Sequence, residues 1–446
     1  MSVIALAERN VPRYTSYPTA PHFTADVGPS VYAAWLAAVP ADAALSLYIH
    51  VPYCFEICRY CGCHTKATLR PEPLDAYVEA LIGEIGLVAA ATAARSVVHL
   101  HWGGGTPSVL GPERLARIVQ RIAQHFDLSR IAEHAIELDP RQVTRPLADA
   151  LAALGVTRAS LGVQEFSPHV QEAIGRIQPF ETVRAAADAL RAAGIARINV
   201  DLMYGLPGQS IADVQATVDL VAALHPSRLA LFGYAHVPWF KANQKLIDEA
   251  ALAGASERID QARAAAQRLA SHGYVPVGLD HFAQADDALA VAARAGRLRR
   301  NFQGYTTDPA DALIGFGASA IGRLPQGFVQ NAVDIAGYTR AVAQGAFATV
   351  KGIAVSADDE LRGAIIERLM CDLAVDLAAL PVAAAQAAPT FEYERAELDA
   401  LAAAGLITIE GSRITVTEEG RPFVRLVAAA FDAYLAQSRS RHSIAV

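Results

Sequence analysis

Four of the five cysteines in the chain, Cys54, Cys58, Cys61 and Cys63, fall within ten residues, in YIHVPYCFEICRYCGCHTK. The spacing Cys-x3-Cys-x2-Cys-x-Cys is too tight for pairing across a fold, so the thiolates converge on one metal site. A soft sulfur cage suits iron–sulfur or zinc. Structural zinc usually has two ligand pairs separated by a dozen or more residues, and no second Cys or His pair answers this loop at that spacing. A Cys-x3-Cys-x2-Cys loop gives three thiolates to a four-iron cluster and leaves one iron open to chemistry, whereas a fully ligated cluster normally only passes electrons. A disulfide framework is disfavoured, because a cytosol is reducing and nothing in the sequence suggests export.

The elements that must position this loop alternate in type. Candidate strands are LSLYIHVP (45–52), SVVHLHWGGG (96–105), AIELDP (135–140), RASLGVQEF (158–166), RINVDLMYGLP (197–207) and RLALFGYAHV (228–237). Alanine-rich amphipathic segments such as LDAYVEALIGEIGLVAAA and PERLARIVQRIAQHF separate them. Repeated strand-then-helix units imply a parallel sheet with right-handed crossovers. Six units predict an α/β fold with an incomplete (β/α)6 barrel, whose functional groups collect at the C-terminal ends of the strands. Polar and glycine residues sit at those ends, in HVPYC, HWGGGTP, ELDP, GVQEF and DLMYGLP. Glycines 103–105 let backbone approach a ligand closely and offer N–H groups to a carboxylate. Glu137, Gln164, Arg176 and Asp201 together suit a small, zwitterionic, ribose-bearing ligand: carboxylates for hydroxyls, Gln for an adenine edge or a carboxylate, Arg for a carboxylate. Tyr48 would point its hydroxyl toward the mouth of the metal site.

The 446 residues suffice for one large domain and a smaller one. No apolar stretch approaches the ~20 residues that span a bilayer, and MSVIALAERNVPRY lacks the basic start of a signal peptide. The net charge of −7 argues against general nucleic-acid binding. The expectation is a cytoplasmic, monomeric enzyme with no nucleic-acid or membrane partner. Residues 1–44, containing RYTSYPTAPHF, form an extension over the active site, residues 45–355 the catalytic domain, and residues 356–446 a mainly helical, winged-helix-like domain. Residues 391–446 hold eight acids against six arginines, so that last unit reads as a lid or packing domain rather than a DNA reader. His99 and His101 share a strand face and read as core or strand-end histidines. Cys371 reads as a small buried hydrophobe.

The cysteine loop resembles the signature of radical S-adenosylmethionine (SAM) enzymes, and Gly103-Gly104-Gly105-Thr106-Pro107 resembles their GGE-type motif with Thr106 in the acidic position. With RYTSYPTAPHF, HLHWGGGTPS and the RRNFQGYTT–LIGFGASAIG run at 299–322, the chain is similar over most of its length to the oxygen-independent coproporphyrinogen III oxidases. The resemblance implies that Cys54, Cys58 and Cys61 ligate one [4Fe-4S] cluster, with Cys63 an additional cysteine that is not a ligand. It implies two SAM molecules, one on the cluster touched by Tyr48, Gly104, Glu137 and Ile321. The second is touched by Tyr60, Gly105, Thr106, Gln164, Arg176, Asp201 and Ala235. The implied substrate is coproporphyrinogen III, with an electron donor for the cluster and a terminal electron acceptor as further partners. Arg13, Arg299 and Arg300 are candidates for the substrate carboxylates, and Phe302 and Tyr305 for loop packing near the site.

Three rivals use the same residues. A heme-binding chaperone or a heme-degrading enzyme on the radical SAM scaffold would lack the RYTSYPTA segment, and the chaperone would also lack Cys63. A zinc-stabilised interaction protein would leave the polar strand ends without a role.

Overall fold

The computed structural model of the chain describes residue 6, residues 8–380 and residues 392–435. Six parallel strands lie side by side in chain order: β1 (Ala44–Val51), β2 (Ser96–Gly104), β3 (Glu133–Leu138), β4 (Arg158–Gln164), β5 (Arg197–Tyr204) and β6 (Arg228–Gly233). Parallel neighbours need a crossover between them. The principal ones are α1 (Pro71–Ala91), α2 (Gly111–His125), α3 (Arg145–Ala153), α4 (Phe180–Ala192) and α5 (Ile211–Ala223). Proline occupies the first position of α1, where its missing N–H costs nothing. The helix then buries Leu74, Tyr77, Val78, Leu81, Ile85 and Val88, one stripe at helical spacing.

Strand alternation sorts the side chains. Leu45, Leu47, Ile49 and Val51 of β1 are fully buried in the main core, as are Ile136 and Leu138 of β3 and Val200 and Leu202 of β5. The intervening positions, Tyr48, His50, Glu137, Asn199 and Asp201, take the opposite face. Apolar residues meet the helices, and polar ones are left for the concave side.

The sheet does not close on itself. Its six central strands match the expected incomplete barrel, and it runs on at both edges to twelve strands. Beside β1 lies a seventh parallel strand, β7 (Ala312–Phe316), pairing Tyr48 with Gly315. Antiparallel β8 (Ile321–Leu324), β9 (Gly327–Asn331) and β10 (Thr349–Ala354) follow outward. At the far edge, His281–Ala283 pairs antiparallel with β6. These additions are absent from the sequence-based strand set, because a five-residue apolar run such as ALIGF carries no periodicity of its own.

A second core forms around α6 (Ala357–Asp372), α7 (Glu392–Ala403) and the hairpin of Ile407–Glu410 and Arg413–Val416. Strand Ala374–Asp376 completes a three-stranded antiparallel sheet, giving the winged-helix-like order. The first residues of the chain are shared between the two cores. Val11, Tyr14 and Tyr17 pack with Ile365, Leu369 and Val427, whereas Tyr32 and Leu36 of the helix Pro29–Ala37 pack into the barrel core. No helix among the described residues is long and apolar enough to cross a membrane.

Candidate active site at the cysteine loop

Past the end of β1 the chain forms a two-residue strand, Tyr53–Cys54, paired with Lys66–Ala67, so the cysteine loop closes on itself. Cys58 is buried, Cys54 and Cys61 are half-buried, and Cys63 is exposed; all are free thiols. The loop is pinned by its carbonyls. Asn243 Nδ2 donates to the carbonyls of Cys58 (3.0 Å), Arg59 (3.1 Å) and Cys61 (2.9 Å). Gln244 Nε2 donates to Tyr60 (2.7 Å) and to Ala235 (3.2 Å), and Lys241 Nζ donates to Cys63 (2.9 Å). With the backbone held, the sulfurs are free to face one mouth.

Donors surround those sulfurs. Thr106 Oγ1 donates to Cys54 Sγ at 3.5 Å, and Arg176 Nη1 donates to Cys58 Sγ at 3.4 Å. The Cys63 thiol and amide, with Lys241 and Arg176 nearby, draw Cys61 down to about 6 against the effect of burial, whereas burial pushes Cys54 up. Thiolate-favouring donors suit a metal-bound loop. Among the described residues, no three or more His, Cys, Asp or Glu side chains are gathered tightly enough for a single ion. A four-iron cube holds its three thiolates at separate corners and asks only that they line one mouth. Three thiols of one pinned loop, two of them with donors on sulfur, are a donor set that fits such a cluster.

The glycines of β2 are required by crowding. A Cβ on Gly103 would lie 2.8 Å from Glu137 Oε1, and one on Gly104, whose φ is +110°, would lie 2.7 Å from the His50 ring. On Gly105 it would collide with the Tyr53 carbonyl and lie 2.5 Å from Thr65 Oγ1. Two of the glycines and the following threonine donate within the protein: Gly104 N to Glu137 Oε2 (3.2 Å), Gly105 N to Val51 O (2.8 Å) and Thr106 N to Tyr53 O (2.7 Å). For Gly104 and Gly105, the expectation that these N–H groups are offered to a ligand carboxylate is thus corrected. Glycine is needed because the end of β2 tucks beneath the cysteine loop.

The remaining sequence candidates are tied to the loop or to one another by individual contacts. Glu137 also meets His101 Nε2 at 3.3 Å, the strand-end histidine of the expected pair, while His99 is buried. The Tyr48 hydroxyl lies 3.0 Å from His50 Nδ1, and His50 Nε2 lies 3.2 Å from the His64 carbonyl, so the two strand residues reach back into the loop. Arg176 Nη2 donates to Gly162 O (2.7 Å) and pairs with Asp139 (3.2 Å). Burial alone would lower Arg176, but Tyr60, Asp139 and Cys58 outweigh it and hold the guanidinium charged. Gln164 sits at a left-handed φ of +70°, where the β4–β5 register shifts. Asp201 receives Ser160 Oγ and Asn199 Nδ2, each at 2.9 Å, and burial, with Glu137 nearby, raises it to about 6. Ile321 opens β8, its carbonyl against Gly315, the partner of Tyr48.

Some residues at this site escaped the sequence reading. His50 had a signal, since it shares a strand face with Tyr48. Asn243, Gln244 and Lys241 had none; they lie in and at the start of a short 3-10 helix, Ala242–Leu246, some 180 positions away from the loop they hold. Arg299 does not join the site: it pairs with Glu367 at 3.1 Å on an exposed surface. Phe302 packs edge-on against Phe328, and the Tyr305 hydroxyl donates to Met370 O at 2.6 Å, so both serve loop packing. Cys371 is buried, and burial pushes its thiol up to about 12.

Comparison with known proteins accords with this geometry. Residues 48–221 match the family model of the radical SAM superfamily, and residues 355–423 match that of the HemN C-terminal domain. The chain is 48% identical to the oxygen-independent coproporphyrinogen III oxidase of Bradyrhizobium diazoefficiens, the alignment covering 99% of each. It is 42% identical to the enzyme of the same description from Paracoccus denitrificans, over 99% of this chain and 98% of the relative. A solved structure described as coproporphyrinogen III oxidase (HemN) from Escherichia coli, a radical SAM enzyme, superposes with a TM-score of 0.90 at 36% identity, covering 96% of this chain and 100% of that one. The radical SAM family carries a [4Fe-4S] cluster and uses SAM, the two groups for which the thiol loop and the polar rim are suited. The chain belongs to the radical SAM superfamily and, within it, to the oxygen-independent coproporphyrinogen III oxidases.

Proposed function

We infer that the chain oxidatively decarboxylates two propionate side chains of coproporphyrinogen III to vinyl groups, yielding protoporphyrinogen IX, in anaerobic heme biosynthesis. The observation that carries this is a pinned loop of three thiols above a rim of glycine, carboxylate and guanidinium, in a chain alike end to end to oxidases of that name. When bound, the cluster and SAM would supply the one-electron chemistry that removes a hydrogen atom from the propionate carbon attached to the ring. Each propionate also gives up carbon dioxide and one further electron, so an electron donor for the cluster and a terminal acceptor are partners in this reading.

The protein's part is to bind, orient and exclude water. In our reading Cys54, Cys58 and Cys61 hold the cluster and two SAM molecules bind beside it. Tyr48, Gly104, Glu137 and Ile321 serve the cluster-bound one. Tyr60, Gly105, Thr106, Gln164, Arg176, Asp201 and Ala235 serve the second. Support comes from the contacts that link Arg176 and Thr106 to the loop sulfurs and from the acceptors of Glu137 and Asp201, which suit amine and hydroxyl groups. The same proposal divides the chain into an extension (1–44), a catalytic domain (45–355) and a C-terminal domain (356–446), acting as a cytoplasmic monomer.

The test is an anaerobic assay of iron-reconstituted protein with SAM, dithionite and coproporphyrinogen III, following 5′-deoxyadenosine and vinyl product together. Both should form, and Cys58→Ser should abolish both. SAM cleavage without decarboxylation would send the function to another substrate, and stoichiometric heme binding without either product would favour the chaperone.

A further inference from the structure

A cavity of about 1180 Å³ opens beside the ends of β5 and β6. That exceeds the ~300–1,000 Å³ usual for small-molecule sites. It adjoins the mouth described above, since Ala235 lines it, as does His281, whose charge reaches Asp201. Its walls come from far apart in the chain: Tyr204, Leu231 and Phe232 from the barrel, Arg13 and Thr15 from the extension, Phe302 from the 300–304 turn, and Phe423 from the C-terminal domain.

Arginines dominate its polar lining. Arg13, Arg258, Arg300 and Arg425 all line it; of the lining carboxylates, Glu418 acts on Arg421, and Asp280 is the one whose field reaches Arg13, Arg300 and Arg425. Asp280 is itself hydrogen-bonded to His281 at 2.8 Å. Arg13 Nη2 donates to Gly233 O (3.2 Å), while Arg300 donates to the carbonyls of Tyr14 (3.2 Å) and Arg13 (3.3 Å). Among the described residues neither forms an ion pair, and Arg300 Nη1 is buried with no hydrogen-bond partner there. Arg13 is enclosed by protein, which lowers its guanidinium, yet its own surface is exposed, because it opens on the cavity. Arg425 is drawn down to about 9, by burial first and then by the charges of Arg13 and Arg300. Carbonyl contacts would explain arginines that only pin the extension in place. They do not explain several mutually repelling guanidiniums around an apolar space, which call for an anionic guest.

Resting on the oxidase reading above, we propose that this cavity seats the macrocycle and that Arg13, Arg258 and Arg300 bind the two propionates that do not react. The apolar walls take the pyrroles, the guanidiniums take the peripheral carboxylates, and the reacting edge is left toward Ala235 and Asp201. The extension is then part of the substrate site, since Arg13 closes it.

The proposal is tested by fluorescence titration of the anaerobically reconstituted full-length enzyme with three stable porphyrins. These are coproporphyrin III, its tetramethyl ester, and protoporphyrin IX, which keeps only the two non-reacting propionates. Wild type should bind both acids at least about tenfold more tightly than the ester. Arg13→Gln and Arg300→Gln should each weaken both acids by roughly tenfold to a hundredfold and leave the ester unchanged, with partial recovery in Arg300→Lys. Arg299→Gln, outside the cavity, should change nothing. Equal binding of acid and ester by wild type overturns the proposal and decides the matter even if a variant fails to fold. Equal loss for acid and ester also overturns it, leaving the arginines as pins for the extension. A loss confined to coproporphyrin III overturns the assignment to the non-reacting pair. Vinyl formation without discrimination between acid and ester sinks this proposal and keeps the oxidase; discrimination without vinyl formation does the reverse.

Discussion

Gly105 is under the tightest steric constraint at the mouth, between the Tyr53 carbonyl and Thr65 Oγ1. Backbone cannot yield as a flexible side-chain tip can, so Gly105→Ala must lift the start of the cysteine loop away from β2. Its Thr106 neighbour would lose its approach to Cys54 Sγ at the same time. We predict that the variant folds but, after reconstitution, retains less than about half the wild-type iron per chain, as read by iron and sulfide analysis. A wild-type iron content would show that the loop is set by its pins at 241–244 alone. The arginine substitutions above belong to this scale too. Arg299 and Arg300 are adjacent on a strand and so face opposite ways, one to Glu367 and the other to the Tyr305 ring at 4.4 Å.

Between elements, Glu84 of α1 ties the outer strands to the barrel. It is fully buried and accepts from Gly317 N (2.7 Å), Asn331 Nδ2 (2.6 Å) and the Tyr338 hydroxyl (2.8 Å). Those donors come from the turn after β7, the end of β9 and the helix behind it, so one carboxylate fixes the approach to Ile321. Burial raises Glu84 to about 7, and the three hydrogen bonds oppose the shift. A carboxyl raised in the folded state binds more protons than its unfolded counterpart between its ordinary value and about 7. Stability therefore falls as pH rises through that window, by at most about 3 kcal/mol. Glu84→Gln does not titrate, and its amide cannot accept from all three donors. It should be less stable than wild type at pH 5, with the gap narrowing toward pH 8, as read from chemical denaturation at the two pH values. A gap independent of pH would mean that Glu84 does not carry the charge change.

At the scale of the whole molecule, the extension is the clasp between the two cores. Tyr14 packs in the C-terminal core and its hydroxyl donates to buried Asp432 Oδ2 at 2.9 Å, while Arg425 Nε donates to Pro12 O at 3.0 Å. Tyr14→Phe keeps the packing and leaves a buried carboxylate oxygen short of a donor. It should cost about 1–3 kcal/mol in denaturant unfolding and weaken coproporphyrin III binding, because Arg13 is the next residue back. An unchanged midpoint would show that the clasp is made by apolar packing alone.

Features made by residues close along the chain were legible before folding. The cysteine spacing puts four thiols into one short loop, because residues within ten positions stay near one another in any fold. The alternation of strands with alanine-rich helices sets six parallel strands, because each such unit has one handed way to return to the sheet. Polar residues at the strand ends were legible for the same reason: parallel strands bring their C-terminal ends to one side. The tertiary structure alone decided the rest. Asn243 and Gln244 pin the loop from far along the chain, and β7 supplies a seventh parallel strand without helical periodicity to announce it. Arg13, Arg258 and Arg300 surround one cavity although nothing in their local sequence relates them. Such contacts are chosen by which surfaces two cores can bury against each other, a property of the packed molecule and not of any segment within it.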